Sequence, residues 1–83
     1  MNSILEKIYK IGIVPVVKLD NENDALPLAN ALCRGGLPVA EITFRTSAAR
    51  GAIEKITKAY PDMLVGAGTV LTCEQVDSAV EAG

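Results

Sequence analysis

Glu41, Thr43 and Arg45 are the residues of this 83-residue chain whose types and spacing best suit chemistry. They lie in Val39-Ala-Glu-Ile-Thr-Phe-Arg-Thr46, where apolar and polar residues alternate. Read as a strand, this stretch puts Glu41, Thr43 and Arg45 on one face and Ile42 and Phe44 on the other. A carboxylate there can move protons, and a guanidinium can hold an anion. Four residues along a strand is about 13 Å, at about 3.3 Å per residue, so the two charges read as separate tools rather than as an ion pair. A surface strand with one solvated side has the same pattern. A strand of a parallel sheet, by contrast, is buried on both faces and needs a reason to carry ionisable groups.

Gly66-Ala-Gly68-Thr69-Val70 forms a second set. A dinucleotide-binding fingerprint needs a third glycine three residues after Gly68, and Leu71 stands there. The glycines are better explained by close approach of the backbone to a neighbour or a ligand. Lys18, Arg45 and Thr69 each fall near the C-terminal end of an expected strand. Ligands of parallel α/β folds bind at those ends, so the three side chains can converge on one anion. Taken alone, Lys18 reads equally well as a solvated lysine.

The elements that must carry these residues alternate. Ser3 and Glu6 have capping-box spacing ahead of Ile4, Leu5, Ile8 and Ile11, which predicts a short amphipathic helix ended by Gly12. A first strand is expected over Ile13–Leu19, with Pro15 awkward inside it because proline cannot donate to the ladder. Asp20–Asp24 is a polar turn, and Ala25, Leu28, Ala29 and Leu32 then mark one buried helical face closed by Gly35-Gly36. The second strand covers Val39–Thr46. Thr46 or Ser47 caps a helix through Ala49, Ala52, Ile53, Ile56 and Tyr60, which Pro61-Asp62 stops. The third strand is Leu64–Val70. Thr72 and Gln75 form another capping box, for a helix with Val76, Ala79 and Val80 inward and Gly83 as its cap. Such an alternation predicts an α/β fold with parallel strands in sequential order. Three such strands leave two unpaired edges, which either more chain or association must cover.

Composition narrows the function classes. The chain is 49% hydrophobic and 22% charged, with net charge −2, and lacks a basic cluster, so it has no electrostatic footprint for nucleic acid. At this length about 60 to 65% of the unfolded surface is buried on folding, which suits one small domain. The N-terminus lacks the charged-then-apolar order of a signal peptide, and no apolar run reaches membrane-spanning length, so a cytoplasmic chain with no membrane partner is expected. Cys33 and Cys73 are 40 residues apart, which suits neither a metal site nor a redox pair, and both read as free thiols, buried or half-buried. With no histidine, proton transfer falls to a carboxylate, a lysine or a tyrosine.

Gly12-Ile-Val-Pro-Val-Val17, Ala31-Leu-Cys-Arg-Gly-Gly36, Glu41-Ile-Thr-Phe-Arg-Thr46, Val65-Gly-Ala-Gly-Thr-Val-Leu71 and Glu81-Ala-Gly83 together carry a resemblance. In this order the chain resembles the N-terminal portion of the bacterial 2-keto-3-deoxy-6-phosphogluconate (KDPG) and 4-hydroxy-2-oxoglutarate (KHG) aldolases. The resemblance implies the first three strand-helix units of a (β/α)8 TIM barrel, preceded by a short helix, with residues 1–83 forming a partial barrel domain. It also implies class I chemistry on a keto acid or sugar acid phosphate, with a lysine Schiff base and no cofactor or metal. By position, Glu41 would be the general acid/base, while Arg45 and Thr69 would hold the pyruvate carboxylate, with Lys18 as a further substrate-binding residue. The family's Schiff-base lysine and phosphate site come from later strands and have no counterpart here. The resemblance therefore implies that the 83 residues are inactive alone, and that the intact enzyme is a homotrimer. Two other readings stay open: a different sugar-phosphate-binding barrel enzyme, and a non-catalytic half-barrel that oligomerises.

Overall fold

A computed structural model describes residues 3–83. Helix α1 spans Ser3–Ile11, strand β1 Val16–Val17, helix α2 Ala25–Arg34, β2 Val39–Thr43, α3 Ala49–Ala59, β3 Leu64–Gly68 and α4 Cys73–Ala82, with a 3-10 turn at Glu22–Asp24 before α2. The strands form one parallel sheet in the order β1-β2-β3. Parallel neighbours need crossovers, and α2 and α3 supply them.

The core lies between one face of the sheet and the helices. Ala40 and Ile42 of β2 meet Ala25 and Ala29 of α2 and Ala49, Ala52, Ile53 and Ile56 of α3, with Met63 and Ala82 beside them. Leu28 and Leu32 pack half-buried on this cluster, so the apolar face expected for α2 is the face that is used. Six of the ten buried core residues are alanines, so most of the apolar bulk comes from Ile42, Ile53, Ile56 and Met63.

The ends of the elements show where local chemistry prevailed. Helix α2 closes in a Schellman arrangement: Leu37 N–H donates to Leu32 C=O at 2.9 Å and Gly36 N–H to Cys33 C=O at 3.1 Å. Only Gly36 takes positive φ, +83°, while Gly35 stays right-handed. Gly12, at φ +82°, ends α1 as expected. Helix α1 begins at Ser3 itself, so Ser3 sits inside the helix rather than at its cap. Thr72 caps α4 by accepting from Gln75 N–H at 3.1 Å, and the Gln75 side chain returns to Leu71 N–H at 2.7 Å.

Several expectations need correction. The first strand shrinks to two residues because Pro15 cannot donate, and its carbonyl instead takes Glu41 N–H at 2.9 Å just before the strand begins. The second strand ends at Thr43 and the third at Gly68, so Arg45 and Thr69 stand in the turns that follow. The cap position of α3 is Ala48, not Thr46 or Ser47. Thr46 nevertheless accepts from Ala48 N–H at 3.3 Å and donates to Leu19 C=O, tying this turn to the end of β1.

Val76 and Val80 are not inward: they are 49% and 74% exposed. Helix α4 turns its other side to α3, where Arg50 Nη1 reaches Ser78 Oγ at 3.0 Å and Glu81 Oε2 at 3.2 Å, and Thr57 Oγ1 donates to Ala82 C=O at 3.0 Å. Cys33 is half-buried as expected, but Cys73, in the first turn of α4, is exposed; both are free thiols.

Candidate active site

The second face of the sheet differs from the core face. Glu41 sits at the centre of β2, in register with Val16 of β1 and Gly66 of β3, and Thr43 is in register with Gly68. Strand alternation therefore places Val39, Glu41 and Thr43 on the face away from Ala40 and Ile42. Helix α1 lies across the N-terminal end of that face. Ile4, Ile8, Val14, Val39, Glu41 and Leu64 are among the residues lining a cavity of about 330 Å³ beneath it.

The two glycines of β3 differ in what they leave room for. A Cβ built on Gly66 would meet nothing within 4 Å, whereas one on Gly68 would stand 2.7 Å from Glu41 Cδ and closer still to Oε2. The half-buried Glu41 side chain thus leans toward the C-terminal end of the sheet and occupies the space that Gly68 leaves. The neighbour whose approach Gly68 permits is Glu41 itself, while Gly66 faces open space. The carboxylate makes no hydrogen bond or ion pair with the described residues, and it faces the end where parallel folds bind ligands.

Thr43 is 1% exposed, and its Oγ1 is buried without a hydrogen-bond partner among the described residues. A buried hydroxyl left unpaired costs about 1 to 3 kcal/mol, which a valine of the same shape would avoid. The alternation in the sequence marks Thr43 as a residue of this face, but its burial and its missing partner depend on three strands meeting.

The other site residues lie at the C-terminal ends. Arg45 is exposed in the turn after β2 and has no ion pair or hydrogen bond among the described residues. Thr69 follows β3 with φ +54°, the only non-glycine residue with positive φ among those described. For a β-branched residue this is a strained conformation, about 1 to 3 kcal/mol, of the kind that collects at ligand sites. Lys18 follows β1, 51% exposed, and pairs with Asp20 at 3.6 Å. An exposed pair of this kind is worth about 0 to 1 kcal/mol and can be exchanged for a ligand. The three groups share one end of the sheet, without direct bonds between them. Among the described residues no three His, Cys, Asp or Glu side chains gather into a metal-holding group.

Residues 4–83 match the family model described as KDPG and KHG aldolase. The chain belongs to this aldolase family. The 2-dehydro-3-deoxy-phosphogluconate aldolase of Haemophilus influenzae is 54% identical over 80 residues, which is 96% of this chain and 38% of the relative. The KDPG aldolase of Zymomonas mobilis ZM4, solved with 3-phosphoglycerate, superposes over the whole chain and 39% of its own, with TM-score 0.86 and 43% identity. The Legionella pneumophila KDPG aldolase, solved with pyruvate captured as a covalent carbinolamine, is 47% identical over 84% of this chain and 34% of its own, with TM-score 0.80. The chain thus spans somewhat over a third of the length of the KDPG aldolases it matches. Its architecture is that of the first three strand-helix units of their (β/α)8 barrel.

Proposed function

We propose that this chain is the N-terminal part of a class I aldolase that cleaves 2-keto-3-deoxy-6-phosphogluconate to pyruvate and glyceraldehyde 3-phosphate. Cleavage of 4-hydroxy-2-oxoglutarate to pyruvate and glyoxylate follows the same chemistry. Membership of the family over residues 4–83 carries this reading. It is supported by the 47% identical Legionella enzyme, whose pyruvate is held as a carbinolamine.

In this reading a lysine from a later strand forms the Schiff base with the substrate keto group, and residues of this chain handle protons and the carboxylate. Glu41 acts as base on the C4 hydroxyl, directly or through a water. As the C3–C4 bond breaks, its electron pair passes to the iminium and the aldehyde leaves. Glu41 then returns a proton to C3, and hydrolysis of the imine releases pyruvate. Forming and losing the carbinolamine needs the same carboxylate to give and take protons. Arg45 supplies charge and directional donors for the substrate carboxylate, with the Thr69 hydroxyl beside it. Lys18 adds positive charge at the same rim.

Both flanks of the sheet call for further protein. Val16 on the edge strand β1 is 59% exposed and Val80 of α4, which lines a cavity with Val65 and Ala67 of the other edge strand, is 74% exposed, and the remaining strands and helices of a barrel would cover both. Assembly into a homotrimer and a cytoplasmic location belong to the same proposal and rest on the family resemblance. The exposed flanks also suit a half-barrel that pairs with a second chain, which light scattering on the 83 residues tests: a mass of about 8.7 kDa excludes pairing.

Incubation with pyruvate and borohydride tests the main reading. The intact enzyme is expected to gain a stable pyruvate adduct and the 83-residue chain none. An intact enzyme that gains no adduct overturns the aldolase assignment.

A further inference from the structure

The buried hydroxyl of Thr43 and the carboxylate of Glu41 are complementary groups, and both lack partners among the described residues. Thr43 Oγ1 is a donor with no acceptor among the described residues. The Glu41 carboxylate is an acceptor with no donor among the described residues. They lie on the same face of β2, two residues apart. The Glu41 carboxyl group fills the space above Gly68, the residue in register with Thr43 on the next strand. An acceptor therefore rests against the residue directly across from an unsatisfied donor, at the end of the sheet where substrate must bind.

We propose that Thr43 and Gly68 form the seat of the Glu41 carboxylate: Gly68 leaves the room, and the Thr43 hydroxyl donates the hydrogen bond that holds the carboxylate in place during proton transfer. Thr43 is thus a positioning residue acting through Glu41, and the proposal rests on the acid/base role given to Glu41 above. Both side chains can turn about χ1 to bring the two groups together. Burial of the hydroxyl keeps competing water from the bond. The carboxylate's remaining oxygen stays available to the substrate or its water. A side chain at position 68 would come nearest to Glu41 Cγ, Cδ and Oε2 and would displace that side chain, which is half-buried and can turn, so Gly68→Ala is expected to fold.

The test uses the intact enzyme with Thr43→Val, Thr43→Ser and Gly68→Ala. Loss of one hydrogen bond to a charged group is expected to lower kcat for aldol cleavage in Thr43→Val by about tenfold, with KM little changed. Thr43→Ser keeps the hydroxyl and restores most of the rate. The melting temperature of Thr43→Val is read alongside the rate, so that loss of turnover is separated from loss of fold. Gly68→Ala lowers kcat with its fold intact, as read by circular dichroism.

A parental kcat in either Thr43→Val or Gly68→Ala overturns the seat and leaves Thr43 as packing. Should Thr43→Val fail to fold, Gly68→Ala and the Glu41 carboxyl ¹³C shift in Thr43→Ser decide: a displaced resonance at parental rate overturns the proposal. Failure of the aldolase reading looks different, because the parent itself then traps no pyruvate. In that case the same carboxyl resonance tests the seat without catalysis. Thr43→Val moves it if the hydroxyl donates to Glu41, and an unmoved resonance overturns the proposal.

Discussion

The two faces of β2 are built by opposite rules. Toward the helices, Ala40 and Ile42 are sealed in a cluster of alanines and isoleucines in which nothing is polar. Toward the other side, Glu41 and Thr43 stand beside two glycines, with a carboxylate and a hydroxyl that lack partners among the described residues. One face contributes burial, at about 25 cal/mol per Å² of apolar surface. The other costs stability and offers chemistry in return. A single strand can do both because its side chains alternate, so changes on one face need not disturb the other.

If that division holds, the largest expected effect is on the core face. Ile56→Ala removes one of the few bulky residues of an alanine-rich core and is expected to cost about 2 to 5 kcal/mol in urea unfolding of the intact enzyme. A cost below about 1 kcal/mol would break the comparison. Glu41→Gln, on the other face, is expected to lower kcat by about 10² or more while leaving the unfolding midpoint within experimental scatter. Unchanged kinetics would remove Glu41 from its role.

Smaller effects sharpen the contrast. Thr69→Asn places a residue that tolerates the left-handed region where the strained threonine stands, and is expected to gain about 1 kcal/mol of stability. The same change is expected to raise KM for the keto acid, since the hydroxyl is lost. A gain in stability with unchanged KM would make Thr69 strained without function. Thr72→Ala, at a helix cap remote from Glu41, is expected to cost about 1 kcal/mol and to leave KM and kcat alone. An effect on turnover would show that α4 is coupled to the site.

Reading the sequence placed most of the fold, because helix periodicity, caps and glycine stops are local signals. The α2 face, the Thr72 cap and the sequential parallel order all came from such signals. The errors arose where tertiary contacts decide. Val76 and Val80 fit an inward apolar stripe, but α4 docks through Arg50 and Thr57 of α3 and leaves them on an open flank. Arg45 fits a strand pattern but stands past the strand's end, where Thr46 ties the turn back to Leu19.

The sequence by itself determined which residues could do chemistry: a carboxylate and a hydroxyl two apart on one strand, cations near two strand ends, and glycines two apart on another strand. Residue types and period-two spacing are enough for that. Only the tertiary structure decided that the Glu41 carboxylate lies over Gly68 and that Thr43 is buried without a partner among the described residues. Those facts depend on the register between β2 and β3, which forms only when distant segments of the chain come together to bury their apolar faces.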